Sequence, residues 1–277
     1  MKNKSVVKLV LLFSLILSPI LGHADPEPGE EMFIFHLGYF LPSFDTKLRV
    51  NNDAGQGDDV NAEDDLGLDS QETIIRGDVT WRISPRNRLT LGYFNFGRTG
   101  TRTIDKEIEI GDEIYPVGAT LDTDFNFTVI PISYYFSFYK SDELEFGAGL
   151  GLQWSVITLD IEGSASAGNL DGNREARADA SAPLPLLGVD LKYYIFPTWS
   201  VGGNIGAFAY KVGAGNMTMQ GNVYSAAINT DYWFSEYVGA GLAINAFAID
   251  VDVAGAKWNG NFNYQYWGPQ VFLSGRF

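Results

Sequence analysis

The sequence predicts an all-β fold, a single closed antiparallel transmembrane β-barrel of ten strands, with twelve as the alternative count. Three observations carry that prediction. Beyond Asp25 apolar residues recur with a period of two in segment after segment, and helical spacing is scarcely seen. The connectors alternate between tight turns and longer loops, which is the pattern of a membrane barrel with short turns on one side and long loops on the other. No stretch after the N-terminal region approaches the roughly 20 apolar residues that a spanning helix needs. A chain of this kind can cross a membrane only as strands, and strands in lipid must close into a ring because an unpaired edge finds no water to bond.

The elements follow in order. Lys2, Lys4 and Lys8 followed by the apolar run "LVLLFSLILSPIL" and the small residues Gly22 and Ala24 read as a signal peptide over 1–24, cleaved before Asp25, leaving 25–277 as the barrel domain. The strand-like segments lie near 32–50, 71–84, 88–110, 113–139, 144–162, 182–196, 199–213, 216–234, 237–253 and 259–277. The tight connectors are "PRN", "KSDE", "PTW" and "SEY". The longer ones, 51–70 and 163–181, fall at the opposite end with two shorter ones near 213–216 and 254–260. Twelve strands would result if "TRTIDKEIEI" and "EIYPVGATLD" crossed the membrane separately rather than forming a hairpin above it. In "MFIFHLGYFL" Phe33, Phe35, Leu37, Tyr39 and Leu41 share one face and His36 the other; "LEFGAGLGLQW" sets Leu144 to Trp154 against Glu145, three glycines and Gln153. Aromatic residues crowd the segment ends, as in "YYFSFY" and "YYIFPTW", and fit two interfacial girdles. Pro131 and Pro269 coincide with a change in which residues of the alternation are apolar, and read as bulges where a missing donor is tolerated.

The last run, "VFLSGRF", puts Val271, Leu273, Gly275 and Phe277 on the lipid side and Phe272, Ser274 and Arg276 inside. An aromatic last residue with apolar residues at alternate positions before it resembles the C-terminal signature of Gram-negative outer-membrane proteins. The resemblance implies that the barrel-assembly machinery reads Phe277 as an assembly signal.

A net charge of −15 makes nucleic acid an improbable partner, so none is expected. The chain has no cysteine, so an exported domain of this size must be held by backbone pairing and burial alone. "GAGLGL" at 147–152 is not a phosphate loop, because a strand and not a helix follows it; its glycines read as small inward residues of a narrow barrel. His36, the one histidine left after the signal peptide, points into the lumen near the periplasmic end. Barrel proteases and acyl-cleaving barrel enzymes place their catalytic groups toward the outer face, so no enzyme is expected and no cofactor is implied.

Two groups of charged residues remain. The run "NNDAGQGDDVNAEDDLGLDSQE" carries Asp53, Asp58, Asp59, Glu63, Asp64, Asp65 and Asp69 in one external loop. Oxygen ligands at short intervals suit hard divalent cations or the cation layer around lipopolysaccharide, and solvated charge is the plainer meaning. The inward set carries both signs: Arg76, Asp78, Arg82, Glu145, Asp190, Lys192, Asp231 and Arg276. Mixed charges in a ten-stranded lumen either pair into a plug or line a thin water path, and pairing is favoured because an unpaired charge there is costly.

The stretches "AEDDLGLD", "GDEIYPVGATLDTDF", "APLPLLGVDL" and "YWGPQVFLSGRF" together resemble a family of uncharacterised outer-membrane β-barrel proteins of Gram-negative bacteria, within the porin-like superfamily. That resemblance implies the barrel and its location, outer-membrane lipid and lipopolysaccharide as surroundings, and no functional residue. The expectation for function is a non-enzymatic barrel: a narrow channel for ions or small solutes, or a structural and surface-interaction barrel with a plugged lumen. A lipid-modifying enzyme is a remote alternative.

Overall fold

The computed structural model describes residues 29–51, 57–110, 113–164, 174–214, 217–255 and 259–277. The signal-peptide reading and Asp53 fall outside them. Ten antiparallel strands form the ring: β1 (Phe33–Phe40), β4 (Ile74–Ser84), β5 (Asn87–Thr103), β8 (Thr120–Lys140), β9 (Leu144–Ser164), β10 (Arg174–Phe196), β11 (Trp199–Ala214), β12 (Met217–Trp233), β13 (Val238–Ala254) and β14 (Asn259–Arg276). Pairing of β14 with β1, Leu273 opposite Leu37, closes it. Four shorter strands lie between these: β2 (Ser43–Val50), β3 (Val60–Asn61), and the hairpin of β6 (Ile108–Ile110) and β7 (Glu113–Tyr115). That hairpin stands apart from the ring, so the count is ten and not twelve. Several segment ends differ from the sequence reading. The fourth ring strand starts at Thr120, and the sixth starts at Arg174, eight residues earlier than alternation suggested.

The two prolines are not bulges. Across Pro131 the β8–β9 register runs without a shift, from Ile130 opposite Trp154 to Ile132 opposite Leu152. Across Pro269 the β13–β14 register is equally continuous. What changes there is the chemistry of the two faces. On β9 the inward residues are Glu145, Gly147, Gly149, Gly151, Gln153 and Ser155, then Ile157, Leu159 and Ile161. The outward ones are Leu144 to Val156 at every second position, then Thr158, Asp160 and Glu162. On β13 the inward face turns from Ala243 and Asn245 to Phe247, Ile249, Val251 and Val253, and the outward face from Leu242 and Ile244 to Asp250 and Asp252. One half of the barrel is therefore apolar outside and polar inside, and the other half is the reverse. The first suits a lipid surround over strand lengths of about ten residues. The second, on the side of the long connectors, suits water and forms a head with an apolar core.

Rings from β1, β2, β5, β8, β13 and β14 pack the core of the head. Phe44 stacks on Phe96 with 4.8 Å between centroids, Phe127 meets Tyr264 edge to face at 5.0 Å, and Phe40 meets Tyr266 at 5.6 Å. Phe40, Phe94, Phe125, Phe127 and Tyr264 are fully buried among them. Such contacts add about 0.5–1.5 kcal/mol per pair to the area they bury.

The head's wall is completed by the acidic connector, which is only partly the exposed loop that the sequence suggested. The chain breaks at Leu41–Pro42 between β1 and β2, and β2 continues along β14 from Trp267 opposite Ser43 to Gly260 opposite Val50. Its free edge takes β3 and the following turn, with Ala62 N–H donating to the Thr46 carbonyl and Phe44 N–H to the Ser70 carbonyl. Val60, Ala62, Leu66 and Leu68 point in and are buried. Gly67, at φ +74°, lets this segment lie against β5, where a Cβ on Gly100 would stand 2.4 Å from the Gly67 carbonyl oxygen.

The glycines of β9 are inward, and a Cβ on Gly147 would lie 2.4 Å from Asp190 Oδ1 in the lumen, but Gly149 has a further reason. A Cβ on Gly149 would lie 2.0 Å from the Tyr134 carbonyl oxygen on the neighbouring strand. Gly149→Ala is expected to force β8 and β9 apart at a cost of about 1–3 kcal/mol. The check is the urea midpoint of the refolded barrel, and an unchanged midpoint would show that the strands shift freely.

Candidate functional site

Polarity inside the lipid-facing half arises strand by strand from the inward positions. β1 supplies His36; β4 supplies Arg76, Asp78 and Arg82; β5 supplies Arg88; β9 supplies Glu145 and Gln153; β10 supplies Asp190 and Lys192; β12 supplies Asp231; and β14 supplies Ser274 and Arg276. All eight inward charges expected from the sequence lie in this half of the lumen. Arg76, Asp78, Arg82, Asp190, Lys192 and Asp231 line a chamber of about 300 Å³, while Glu145 and Arg276 are packed at its edge.

Most of these charges are paired in two networks. Arg82 grips Glu145 with both terminal nitrogens, Nη1 to Oε1 and Nη2 to Oε2, each at 3.0 Å. Ser137 Oγ donates to the same Oε1, Arg88 Nε lies 3.1 Å from it, and Arg88 Nη2 donates to Asp190 Oδ2 at 2.6 Å. This fork geometry with a hydroxyl on the remaining lone pair is what lets a carboxylate stay ionised out of water. In the second network His36 Nδ1 lies 2.8 Å from Asp78 Oδ2 and its Nε2 3.3 Å from Asp231 Oδ1. An imidazole that donates to two ionised carboxylates carries a proton on each nitrogen. Ser274 Oγ and Asn229 Nδ2 donate to Asp231 at 3.0 and 2.8 Å. The Ser274 proton is thus given to a carboxylate, and His36 serves as a bridge between acids rather than as a base beside a nucleophile.

Sequence reasoning missed three members. Arg88 opens its strand, and its parity with Thr90 and Gly92 was the available signal. Glu31 precedes β1, where no alternation reaches; its buried carboxylate accepts from Arg276 Nη1 at 3.1 Å. Arg98 sits in the head with 0% exposure. Its guanidinium lies over the rings of Phe44 and Phe125, at 4.5 and 4.9 Å, and donates to Glu63, to Thr46 Oγ1 and to the Asp69 carbonyl. It pins the acidic connector into the wall.

Among the described residues the carboxylates of Asp58, Asp59, Glu63 and Asp65 in the acidic connector are taken up by protein partners. Asp58 accepts from the Glu109 N–H, Asp59 pairs with Arg49, and Glu63 takes Arg98 and the Thr46 N–H. Asp65 accepts from the Asn61 N–H and from Lys106 Nζ at 2.8 Å, a bond that holds the Lys106 ammonium's pKa above the ordinary lysine value. Asp64 uses its N–H on the Asn61 side chain, and Asp69 contributes its backbone carbonyl. Among the described residues no group of three or more histidines, cysteines or acids is arranged to hold a metal. At the other end Phe277 rests its ring against Phe35 and Tyr237, each with 6.0 Å between centroids, while its N–H and C=O bond back to Phe33.

No family model matches the chain, and no curated protein does. Among solved structures it is similar to the outer membrane protease OmpT of Escherichia coli, with a TM-score of 0.59 and 12% identity over 88% of this chain and 96% of that one. It is also similar to a FadL homologue of Pseudomonas aeruginosa, with a TM-score of 0.38 and 10% identity over 91% and 92% of the two chains. The toluene transporter TodX of Pseudomonas putida matches at 0.36 and 10% over the same shares. At 12% identity the likeness to OmpT speaks for architecture and not for activity. The ring of ten strands, its apolar outer belt and the likeness to OmpT together make this the fold of an outer-membrane β-barrel.

Proposed function

We propose that the protein is a non-enzymatic barrel of the outer membrane that does not conduct, and that works through the head it holds above the lipid. The observation that carries this reading is the ring packing of the head: Phe40, Phe44, Phe94, Phe96, Phe125, Phe127, Tyr264 and Tyr266 lie inside the barrel, all buried, where a through-path would have to run. The charges below them, of both signs and mostly paired, support it too, since a selective pore more often carries a ring of one sign. The head meets its surroundings with carboxylates. Asp122, Asp124, Glu162, Asp179, Asp250 and Asp252 all face outward above the apolar belt. Carboxylates at that level suit divalent cations shared with the phosphates of lipopolysaccharide, a diffuse contact that needs no metal cage.

Planar-bilayer recording of the refolded mature barrel tests the reading, with heat-modifiable gel mobility as proof of folding. No conductance steps are expected at low or high salt, with or without calcium. Association with lipopolysaccharide vesicles is expected to need calcium and to weaken when Asp250 and Asp252 become asparagine. Discrete steps would overturn the closed lumen, and calcium-independent binding would overturn the surface role.

A further inference from the structure

We infer that the polar chamber is a binding site for a small oxyanion, and that the segment Gly29–Met32 is its gate on the periplasmic side. Counting the partners of the lining residues leads there. Every carboxylate of the chamber is engaged: Asp78 and Asp231 by His36, and Asp190 by Arg88 through one oxygen. Two cations are not. Among the described residues neither Arg76 nor Lys192 makes an ion pair; Arg76 lies over the rings of Phe94 and Phe40, at 5.3 and 5.8 Å, and Lys192 over Tyr194 at 5.1 Å. Gln153, 6% exposed on the chamber wall, has no partner for its Nε2 donor. The wall therefore offers unspent donors and two cations without an ion-pair partner, and because Asp78 and Asp231 share one histidine the lining carries one positive charge in excess; in a partly dry space an unpaired cation is costly and an anion would relieve it. Asp190 Oδ1 is an unspent acceptor, so an anion that also carries a hydroxyl or acidic proton fits the wall best. A volume of about 300 Å³ is at the lower end of ligand pockets and equals about ten waters. That admits phosphate or a hydroxycarboxylate of a few carbons.

Phe94, Phe247 and Tyr266 line the chamber toward the head, and we assign entry to the other end. There the chain turns under the barrel before β1. Gly29, at φ +86°, gives its N–H to Glu31, and its carbonyl accepts from Nζ of Lys140, the last residue of β8, at 2.8 Å. Glu31 is drawn inward onto Arg276, and Glu30 pairs with Lys140. Met32 is exposed. Gly29 to Glu31 are held by ion pairs and single hydrogen bonds, while Met32 joins the ring's ladder through the Phe277 carbonyl and the Arg82 N–H, so the strap can swing about Met32.

The experiment uses the refolded mature barrel, titrated calorimetrically with inorganic phosphate and with malate. Arg76→Gln and Lys192→Gln each remove a charge with no partner, so the barrel should keep its heat-modifiable mobility while affinity for one or both anions falls about tenfold or more. Glu31→Gln weakens the latch and is expected to raise apparent affinity several-fold, because the closed form no longer competes as well. Access is read separately. The chain has no cysteine, so Lys192→Cys is a single reporter, and a charged thiol reagent should label it about tenfold faster when Glu31→Gln is added. Binding that ignores both Arg76→Gln and Lys192→Gln would overturn the site, as would silence of the wild type and Glu31→Gln toward both anions. Labelling that Glu31→Gln leaves unchanged would overturn the gate. None of these outcomes bears on bilayer conductance, so failure here is distinct from failure of the closed-barrel reading.

Discussion

Replacing Glu145 by alanine is expected to lower the stability of the folded barrel by about 3–5 kcal/mol, the usual cost of stranding one side of a buried ion pair. The side chain is wholly buried and is gripped by Arg82 through two bonds of 3.0 Å, with Arg88 and Ser137 on the same oxygen. Its removal leaves two guanidiniums facing each other across β4 and β5, with Asp190 as the remaining acid beside Arg88. Simply neutralising the pair is a different perturbation. Arg82→Met combined with Glu145→Leu removes both charges and keeps most of the volume, and is expected to recover the greater part of the loss. Urea titrations in detergent or lipid, followed by tryptophan fluorescence, give both numbers. A loss below about 1 kcal/mol for Glu145→Ala would mean that water reaches the network and screens it.

The second large effect tests the reversal of the two faces. Leu150 and Glu162 point outward from the same strand, β9, and Leu150 is 61% exposed on the isolated barrel. Leu150→Arg is expected to cost about 2–4 kcal/mol in a bilayer, because the charge enters hydrocarbon. Glu162→Arg, on the same face above the belt, should change stability by no more than about 0.5 kcal/mol, as a surface substitution in water does. Folding into vesicles of defined lipid measures both. Equal costs would place the whole strand in lipid and refute the division into belt and head.

How much of this was legible without coordinates depends on which signal each residue carries. Period two located the ring strands, and the tight turns at Pro85–Arg86, Ser141–Glu143 and Pro197–Thr198 ended them where the sequence said. Alternation also set Phe272, Ser274 and Arg276 inside and Val271 and Leu273 outside, as the structure has them. Alternation reports a difference between faces, however, and not which face is the lumen. Phe125, Phe127 and Val129 are apolar on the inward parity and Ile132, Tyr134, Phe136 and Phe138 on the outward one. Read locally, that swap looks like a bulge at Pro131; only the register shows that the backbone keeps its phase while the surroundings change from water to lipid. The networks were less legible because their partners come from distant strands. Nothing near His36 in the sequence announces Asp231, and Glu31 belongs to no strand at all.

The reversal also makes the barrel a ruler. Sliding β9 toward the cell by two residues, about 6.6 Å of strand before tilt, would bring Thr158 into hydrocarbon with Asp160 close behind, and would do the same on β13 with Asp250. Sliding it the other way would lift Val156 into water with Trp154 close behind. Either displacement is opposed all round the ring at once, so the membrane and not the protein must yield where their thicknesses disagree. Lipids beside this wall are expected to stretch or compress to match it, and proteins of similar height would gather beside it for the same reason.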